Sequence, residues 1–452
     1  MGAGVCVGRG GARGERRHRL LSRGFGDGSV GARRFAVMLA IIATAALAGR
    51  AVYVVMVAQD QTTSYDEVYY RGEASNIADG RGFELPRLAV LALGSGEHPP
   101  ATAAMLVPAE WLSDDNELAL RLTVALAGVG VVVLIGLIGR EVAGPRAGLV
   151  AAGVAAVYPN LWMNDGLLMP ETFATLGTAL AILFTYRVIR QPTWANAAGG
   201  GAGCAIAMLS RAEFALLIPL LVVPVMSMVK RLTRPRRVEL AAVFVFTAAL
   251  AVAPWEGYLL SRYERPAFLS YGEGGVLAGA NCAPTYSGSL IGLWVGLCKP
   301  HAKAHEASLI ADEKRRVGLH YVSHHLGRLP VVMTARIART WSIYRPFQMA
   351  KFSEAEGRPR WASFAGLGTY WVLVGFMIAG AVTLRHQRIT VMPLLAPVVI
   401  VTLVAAAFYG LVRFRAPAEV SIVVLAAVAF DSALARIRSR RHPLTSSAVS
   451  DT

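Results

Sequence analysis

An adjacent acidic pair, Asp66 and Glu67, lies in the stretch TSYDEVYYRG (63–72) of an otherwise strongly apolar chain of 452 residues. A carboxylate near a helix N-terminus is favoured by the helix dipole and can act as a general base toward a hydroxyl group. Neighbouring helix positions point about 100° apart, so the two carboxylates are not expected to flank one bond symmetrically. The pattern predicts a catalytic pair in which one carboxylate can act as base while the other positions; the alternative is a solvated loop.

A second stretch that could do chemistry, GEHPPATAAM (96–105), places Glu97 and His98 directly before two prolines. Proline is favoured in the first turn of a helix, so the stretch predicts a short helix with an imidazole and a carboxylate at its start. A lone histidine is more often a surface residue, but here the acidic pair lies nearby in the chain. We predict that His98 binds a donor group, with Glu97 and Tyr70 as weaker substrate contacts.

Three arginines lie near the ends of apolar blocks, where a charge is costly and therefore informative. Arg211, Arg413 and Arg415 can form two-pronged contacts with phosphate and stay charged. Together with His98 they are the candidate phosphate ligands, and the alternative for each arginine is that its side chain only reaches to the membrane interface. Glu171, at the start of another block, is predicted to cap its helix or to make a weak substrate contact.

The elements that must position these residues are apolar. Apolar residues make up 55% of the chain and charged residues 16%. The apolar residues form blocks of about 15–25 residues, long enough for a helix to cross a hydrocarbon core about 30 Å thick. This pattern predicts an all-α polytopic membrane protein with about ten transmembrane helices and additional helices at the membrane surface. The predicted spans are Phe35–Val57, Glu117–Gly139, Ala147–Leu161, Glu171–Ile189, Ala195–Leu209, Phe214–Val229, Val238–Pro254, Gly366–Leu384, Thr390–Tyr409 and Glu419–Leu434.

Basic clusters set the predicted orientation. The formal net charge is +16, but the arginines lie on alternate connections between apolar blocks, which is typical of membrane orientation and not of nucleic-acid binding. We predict a multi-pass plasma-membrane protein with a basic, disordered cytoplasmic segment (1–34), a membrane domain (35–440) and a cytoplasmic tail (441–452); a cleaved signal peptide is the competing interpretation of the start. The connections 58–116 and 255–365 then lie outside the cell, where surface helices are expected.

Two cysteines, Cys282 and Cys298, share the second outer connection. A disulfide between them would close a loop of about 15 residues and stabilise the fold by about 3 kcal/mol on the chain-entropy model. The alternative is a pair of free thiols. Zinc binding is disfavoured because no paired Cys-x-x-Cys spacing accompanies them.

The acidic pair, followed by an HPP run that opens an amphipathic helix, resembles the GT-C superfamily of membrane glycosyltransferases. Within it the chain is similar to the protein O-mannosyltransferase and lipid A aminoarabinose transferase group, through YPNLWMNDGLLMPETF, LSRAEFALLIPLL and APWEGYLL; GANCAPTYSGSLIGLWVGLC and YGLVRFRAPAE resemble an actinobacterial subgroup. The resemblance covers residues 35–440. One departure is that many relatives have Arg-Asn after Pro-Trp, whereas Trp255 is followed here by Glu256 and Gly257. The role of that arginine then falls to another residue, with Arg262 as the candidate, or is not carried out at all.

The resemblance implies an inverting transfer of a sugar from a polyprenyl-phosphate-linked donor to an acceptor hydroxyl on a glycan, lipid or protein, on the outer face of the membrane. In that reaction Asp66 is the candidate base and Glu67 the positioning residue. No cofactor motif is identified, and although some relatives use a divalent cation, no acidic cluster with metal-ligand spacing supports one here. A transporter or lipid flippase is the second hypothesis, which predicts internal repeats and ionisable residues at the bilayer midplane. A non-catalytic membrane scaffold is the third.

Overall fold

The computed structural model describes residues 31–61, 63–83, 96–113, 116–229, 232–298, 300 and 302–441, without the side chains of 438–441. These residues form helices and turns, and no strand occurs among them, so the predicted all-α fold is confirmed. Most of the predicted disordered segment (1–34) and of the predicted tail (441–452) lies outside the described residues.

The described part of the chain contains eighteen α-helices joined by turns. In chain order they are α1 Ala32–Met56, α2 Tyr65–Ala78, α3 Ala101–Ser113, α4 Glu117–Ala143, α5 Pro145–Val157, α6 Pro159–Trp162, α7 Glu171–Arg190, α8 Trp194–Ser210, α9 Leu217–Met228, α10 Arg234–Arg262, α11 Glu273–Ala280, α12 Ala283–Tyr286, α13 Ala307–His324, α14 Leu329–Thr340, α15 Pro346–Phe352, α16 Arg360–His386, α17 Met392–Ala407 and α18 Ala416–Arg441.

Helices occupy all ten positions at which the sequence predicts spans. Six of them, α1, α4, α7, α10, α16 and α18, are long and apolar enough to cross a membrane. The helices α5, α9 and α17 are apolar but shorter, and α8, with 17 residues, is rich in glycine and alanine. The chain is therefore a multi-pass membrane protein.

Several helix boundaries differ from the predicted ones, and three of these differences change the connections between spans. The third span ends at Val157 instead of Leu161, because Tyr158 precedes a proline and adopts an extended conformation. Helix α10 continues through Pro254 to Arg262, since a proline within a membrane helix can be accommodated by its neighbours. Helix α16 begins at Arg360, so the second long connection is shorter at both ends than predicted.

The last long helix, α18, lies in the centre of the bundle. Its residues from Val420 to Leu425 are all fully buried, as expected for a helix surrounded by other helices. Close approach to α16 depends on Gly380, where an added Cβ would lie 1.9 Å from the carbonyl oxygen of Leu425. The turn Val412–Arg415 leads directly into α18, so its C-terminal end is held by a rigidly packed helix.

The long connection after α10 holds the chain just before the turn Val412–Arg415. Cys282 and Cys298 form the predicted disulfide, and the loop that it closes contains Gly292, whose carbonyl oxygen accepts a hydrogen bond from the Gly410 N–H at 2.8 Å. On α14, buried Arg336 donates at 3.2 Å to the carbonyl oxygen of Ala406 near the end of α17. A guanidinium is stabilised at this position because a helix C-terminus carries partial negative charge.

Candidate functional site

The candidate site begins at the first turn of α2. The Ser64 hydroxyl accepts a hydrogen bond from the Glu67 N–H, and the Glu67 carboxylate accepts one from the Ser64 N–H, both at 3.3 Å. This reciprocal arrangement is a capping box, which satisfies two otherwise unpaired N–H groups and sets where the helix starts. Asp66 thereby lies in the first helical turn, as predicted.

The two members of the acidic pair have different partners. Glu67 is 1% exposed, and its Oε1 accepts hydrogen bonds from the Leu168 N–H at 2.8 Å and from the Arg121 guanidinium at 3.2 Å. These contacts tie the start of α2 to α4 and to the segment before α7. Glu67 is thus part of the scaffold beneath Asp66, and the sequence did not identify Arg121 because it lies within a predicted span.

Asp66 pairs with a residue that is far away in the chain. Its Oδ2 lies 3.0 Å from Arg413 Nη1, and its Oδ1 lies 4.0 Å from His98 Nε2. Burial acts to raise the pKa of the Asp66 carboxyl, but the neighbouring Arg413 and His98 lower it by more, so this pKa lies below its ordinary value. Asp66 is therefore ionised at neutral pH, with about a quarter of its side chain exposed.

Two tyrosines of α2 hold His98 in place. The His98 ring centroid lies 4.9 Å from that of Tyr69 and 5.3 Å from that of Tyr70. The Tyr69 hydroxyl accepts a hydrogen bond from the Gly96 N–H at 3.3 Å and donates one to Glu73 at 3.2 Å. Burial raises the pKa of Glu73 to about 8, so this buried side chain of α2 is a neutral carboxylic acid at pH 7. Tyr70 is itself 1% exposed and packs beneath the imidazole.

Arg211 and Arg413, both predicted phosphate ligands, lie side by side. Arg211 donates to Glu171 Oε1 at 3.0 Å, and Arg413 Nε lies 3.7 Å from the same oxygen. Both guanidinium groups also lie near the Phe414 ring, with Arg211 Cζ 4.6 Å and Arg413 Cζ 5.6 Å from its centroid. Glu171 offsets the repulsion between the two like charges, so its role differs from the predicted helix cap: Pro170 occupies the cap position, and the Glu171 side chain caps nothing.

A further carboxylate, Glu356, reaches the site from the turn between α15 and α16. Its Oε1 lies 3.3 Å from Arg413 Nε, and its Oε2 accepts a hydrogen bond from Arg358 at 3.0 Å. Arg358 is 1% exposed and also donates to the Asn164 side chain at 3.0 Å. Sequence analysis did not identify Glu356, because no local pattern distinguishes it within a long polar connection.

Arg415 is not brought to the site. It is fully buried, and it donates to Glu419 at 2.6 Å and to the Thr340 carbonyl oxygen and the Ser342 hydroxyl at 3.1 Å each. Its guanidinium also lies 3.5 Å from the Tyr370 ring centroid. These contacts anchor the turn that carries Arg413 to the end of α14 and to α16.

The remaining predicted residues lie at the margin of the site. The Glu97 carboxylate has a buried oxygen, Oε2, that finds no hydrogen-bond partner in the part of the chain that the structure describes, and the Glu97 carbonyl packs closely against Gly272. Glu256, at the departure from the family pattern, accepts a hydrogen bond from the Leu269 N–H at 2.9 Å. It therefore orders the chain after α10 and does not replace a site arginine.

The arrangement combines an ionised carboxylate, an imidazole and two arginines at one end of the bundle. It can accept a proton at Asp66 and can neutralise an oxyanion between Arg211 and Arg413. Within the ranges that the structure describes, no group of three or more His, Cys, Asp or Glu side chains lies together to hold a metal ion.

The architecture is shared with a known class of membrane protein. The structure resembles the archaeal oligosaccharyltransferase AglB from Archaeoglobus fulgidus, in complex with an inhibitory peptide and a dolichol-phosphate, with a TM-score of 0.56 and 13% identity over 92% of this chain and 52% of that one. The apo form of the Archaeoglobus fulgidus oligosaccharyltransferase gives the same TM-score, 0.56, with 14% identity over 91% of this chain and 52% of that one. The chain has the predicted GT-C fold and spans about half the length of these proteins.

The sequence comparison finds a family model that matches part of the chain. Residues 97–255 match the model of the dolichyl-phosphate-mannose-protein mannosyltransferases, a range that includes Glu97, His98, Glu171 and Arg211. The structure of ArnT from Cupriavidus metallidurans in the apo state is less similar, with a TM-score of 0.40 and 15% identity over 88% of this chain and 78% of that one. No curated protein matches the chain in sequence. The match and the shared fold place the chain in the GT-C superfamily.

Proposed function

We propose that the chain is an integral membrane glycosyltransferase, which moves a sugar from a polyprenyl-phosphate-linked donor to an acceptor hydroxyl. The observation that carries the proposal is the pairing of Asp66 with Arg413 at 3.0 Å on a GT-C fold. It puts a base and a phosphate ligand side by side, which are the two groups that this transfer requires. AglB, a protein of the same fold, is described with a bound dolichol-phosphate.

The reaction follows from these groups in one displacement. Asp66 accepts the proton of the acceptor hydroxyl while the acceptor oxygen attacks the anomeric carbon of the sugar. The bond between that carbon and the phosphate oxygen breaks, and the phosphate leaves with the electron pair as polyprenyl phosphate. Because attack and departure occur on opposite faces, the anomeric configuration is inverted. Arg413 and Arg211 stabilise the charge that develops on the leaving phosphate.

His98 supports the same step. With its Nε2 4.0 Å from Asp66, the imidazole lies close enough to direct the carboxylate and to donate a hydrogen bond to the donor phosphate. We assign no residue to the choice between a glycan, a lipid and a protein acceptor. The mechanism requires only that the acceptor carries a hydroxyl group.

A transfer assay tests the function directly. The purified protein in lipid nanodiscs, given a radiolabelled polyprenyl-phospho-sugar and cell-envelope extract as acceptor, is expected to release polyprenyl phosphate in proportion to the sugar transferred. Mass spectrometry of envelope glycans from cells with and without the gene then identifies the product. Movement of the lipid across vesicle bilayers without release of polyprenyl phosphate would instead indicate a flippase, and neither activity would indicate a scaffold.

We further propose that the site faces the outside of the plasma membrane and that both termini are cytoplasmic. The support is the positive-inside distribution of arginines, since Arg234, Arg236 and Arg237 begin α10 at the end opposite the connection that leads to the site.

Single cysteines test this orientation. In a background in which Cys6 and Cys204 are replaced by Ser, Ala355→Cys is expected to react with a membrane-impermeant maleimide added to intact cells, because Ala355 is exposed beside Glu356. Arg234→Cys, also exposed, is expected to react only after the cells are permeabilised. The reverse labelling pattern would show that the site faces the cytoplasm.

A further inference from the structure

We propose that Glu356 is an exchangeable counter-ion of Arg413, which yields its place to the donor phosphate and takes it again when polyprenyl phosphate leaves. The inference rests on the proposed function, because it takes phosphate as the ligand of Arg413. In this proposal Glu356 weakens binding of the donor phosphate and favours product release, whereas the arginines of the site strengthen phosphate binding.

The first argument is that Arg413 is incompletely bonded. Carboxylate oxygens of Asp66, Glu356 and Glu171 lie 3.0, 3.3 and 3.7 Å from its guanidinium. Even so, its buried Nε–H has no hydrogen-bond partner among the described residues. The contact with Glu356 is therefore one of charge without an aligned hydrogen bond. A phosphate, with several acceptor oxygens around one centre, can satisfy this donor and an Nη–H together.

The second argument concerns which carboxylate can leave. The Glu171 side chain is 1% exposed and is also bound by Arg211, so its departure would leave a buried charge unpaired. Asp66 must remain near the reacting hydroxyl as the base. The Glu356 side chain is 22% exposed, and it retains Arg358 as a partner when it separates from Arg413.

The third argument is the balance of charge. Four carboxylates share this cluster with three arginines and with His98 at its edge. A phosphate added without displacing a carboxylate would bring one more negative charge into an already acidic cluster, and like charges at short range are strongly unfavourable. When the Glu356 carboxylate moves away from Arg413 and keeps Arg358 as its partner, the phosphate replaces it as counter-ion, so the charge next to Arg413 stays nearly constant. The carboxylates are Asp66, Glu171, Glu213 and Glu356, and the arginines are Arg211, Arg358 and Arg413.

The backbone around Glu356 is suited to such an exchange. Glu356 ends a single 3-10 turn, Ser353–Glu356, and is followed by Gly357 with a φ of +78°. This left-handed conformation is open to glycine at little cost and turns the chain sharply. Beyond it, buried Arg358 is fixed to Asn164. The Glu356 side chain can therefore move its Oε1 away from Arg413 while Oε2 stays with Arg358. The backbone on either side of Glu356 does not have to move.

The test compares Glu356→Gln with Glu354→Gln. Both variants remove one negative charge from the same short turn, but Glu354 is exposed and lies outside the cluster. The probe is a C55 polyprenyl monophosphate, with its affinity measured for the full-length protein in nanodiscs. We expect Glu356→Gln to bind it about threefold to tenfold more tightly than wild type, as expected for loss of a partly exposed competitor, with stronger product inhibition. Glu354→Gln is expected to match wild type.

Several outcomes separate this inference from the function on which it rests. Glu356→Gln binding that equals Glu354→Gln, or that is weaker than wild type, overturns the exchange, since the carboxylate would then be neutral or would hold Arg413 for its ligand. A fall in thermal stability with no gain in affinity would mark a purely structural contact and would also overturn it. If wild type does not bind the monophosphate, or binds it as well after Arg413→Gln, the proposed phosphate ligand is itself wrong.

Discussion

Replacing Asp66 with Asn is expected to lower the rate of sugar transfer by about 10²–10⁴-fold, the usual contribution of a general base. Asparagine preserves the size of the side chain and can still face Arg413 and His98, but it cannot take the proton of the acceptor hydroxyl. Donor binding is expected to change much less than kcat, because the lost interaction belongs to the transition state. The measurement is kcat for release of polyprenyl phosphate from a verified donor.

The matched control is Asp79→Asn at the opposite end of α2. Asp79 pairs with Arg81 at 2.6 Å, and about half of its side chain is exposed, so this variant removes the same charge from the same helix without touching the site. It is expected to transfer sugar at the wild-type rate. Asp79→Asn should unfold at the wild-type temperature, and cooperative thermal unfolding of Asp66→Asn should show that this variant is folded although it has lost the stabilising pairing with Arg413. Unchanged turnover in Asp66→Asn would remove the base from the mechanism and leave the fold assignment intact.

Replacing Arg413 with Gln should lower kcat/KM by about 10²–10³-fold, as found for removal of one donor to a developing oxyanion. It should also change the dependence of the reaction on pH. Asp66 acts in its ionised form, and its pKa is held below the ordinary value because Arg413 and His98 outweigh the effect of burial. Wild-type activity should therefore persist as the pH falls until that low pKa is reached. Without Arg413 the lowering effect of its charge is lost, so the pKa of Asp66 rises and the acid limb of kcat/KM moves to higher pH.

The control for this effect is Arg360→Gln, which removes an exposed arginine at the start of α16. It should leave both kcat/KM and the position of the acid limb unchanged. An Arg413→Gln variant that loses activity with no movement of the acid limb would show that Arg413 acts on the phosphate alone. A limb displaced to lower pH would contradict the electrostatic coupling between Arg413 and Asp66.

The residues that the sequence brought into the candidate site are those near the ends of predicted spans. Asp66, His98, Arg211 and Arg413 are far apart in the chain, but alternation of the spans puts them at the same end of the bundle, and the structure places them together. That these residues lie near one another can be predicted from the topology alone. Which of their atoms are in contact cannot be predicted, because the contacts depend on how α2 packs against the turn Val412–Arg415.

Neighbours in sequence proved harder to assign. Asp66 and Glu67 are adjacent, and Arg413 and Arg415 are two positions apart, so residue type alone placed both members of each set in the candidate site. In the structure, Glu67 is turned toward Leu168 and Arg121, and Arg415 toward Glu419. The direction of a side chain within one helical turn is decided by tertiary packing, and a single sequence carries little information about it.

The pairing of Asp66 with Arg413 spans 347 residues of chain, and this has a consequence for biosynthesis. At about 5–20 residues per second, roughly 17–70 s pass between synthesis of the carboxylate and synthesis of its arginine. During that time the membrane-crossing helices that precede α18 enter the bilayer while Asp66 lacks its arginine, and only insertion of α18 completes the ion pair. A ribosome that stalls before α18 would therefore release these helices without the ion pair on which the proposed transfer depends, so quality control of the site depends on α18.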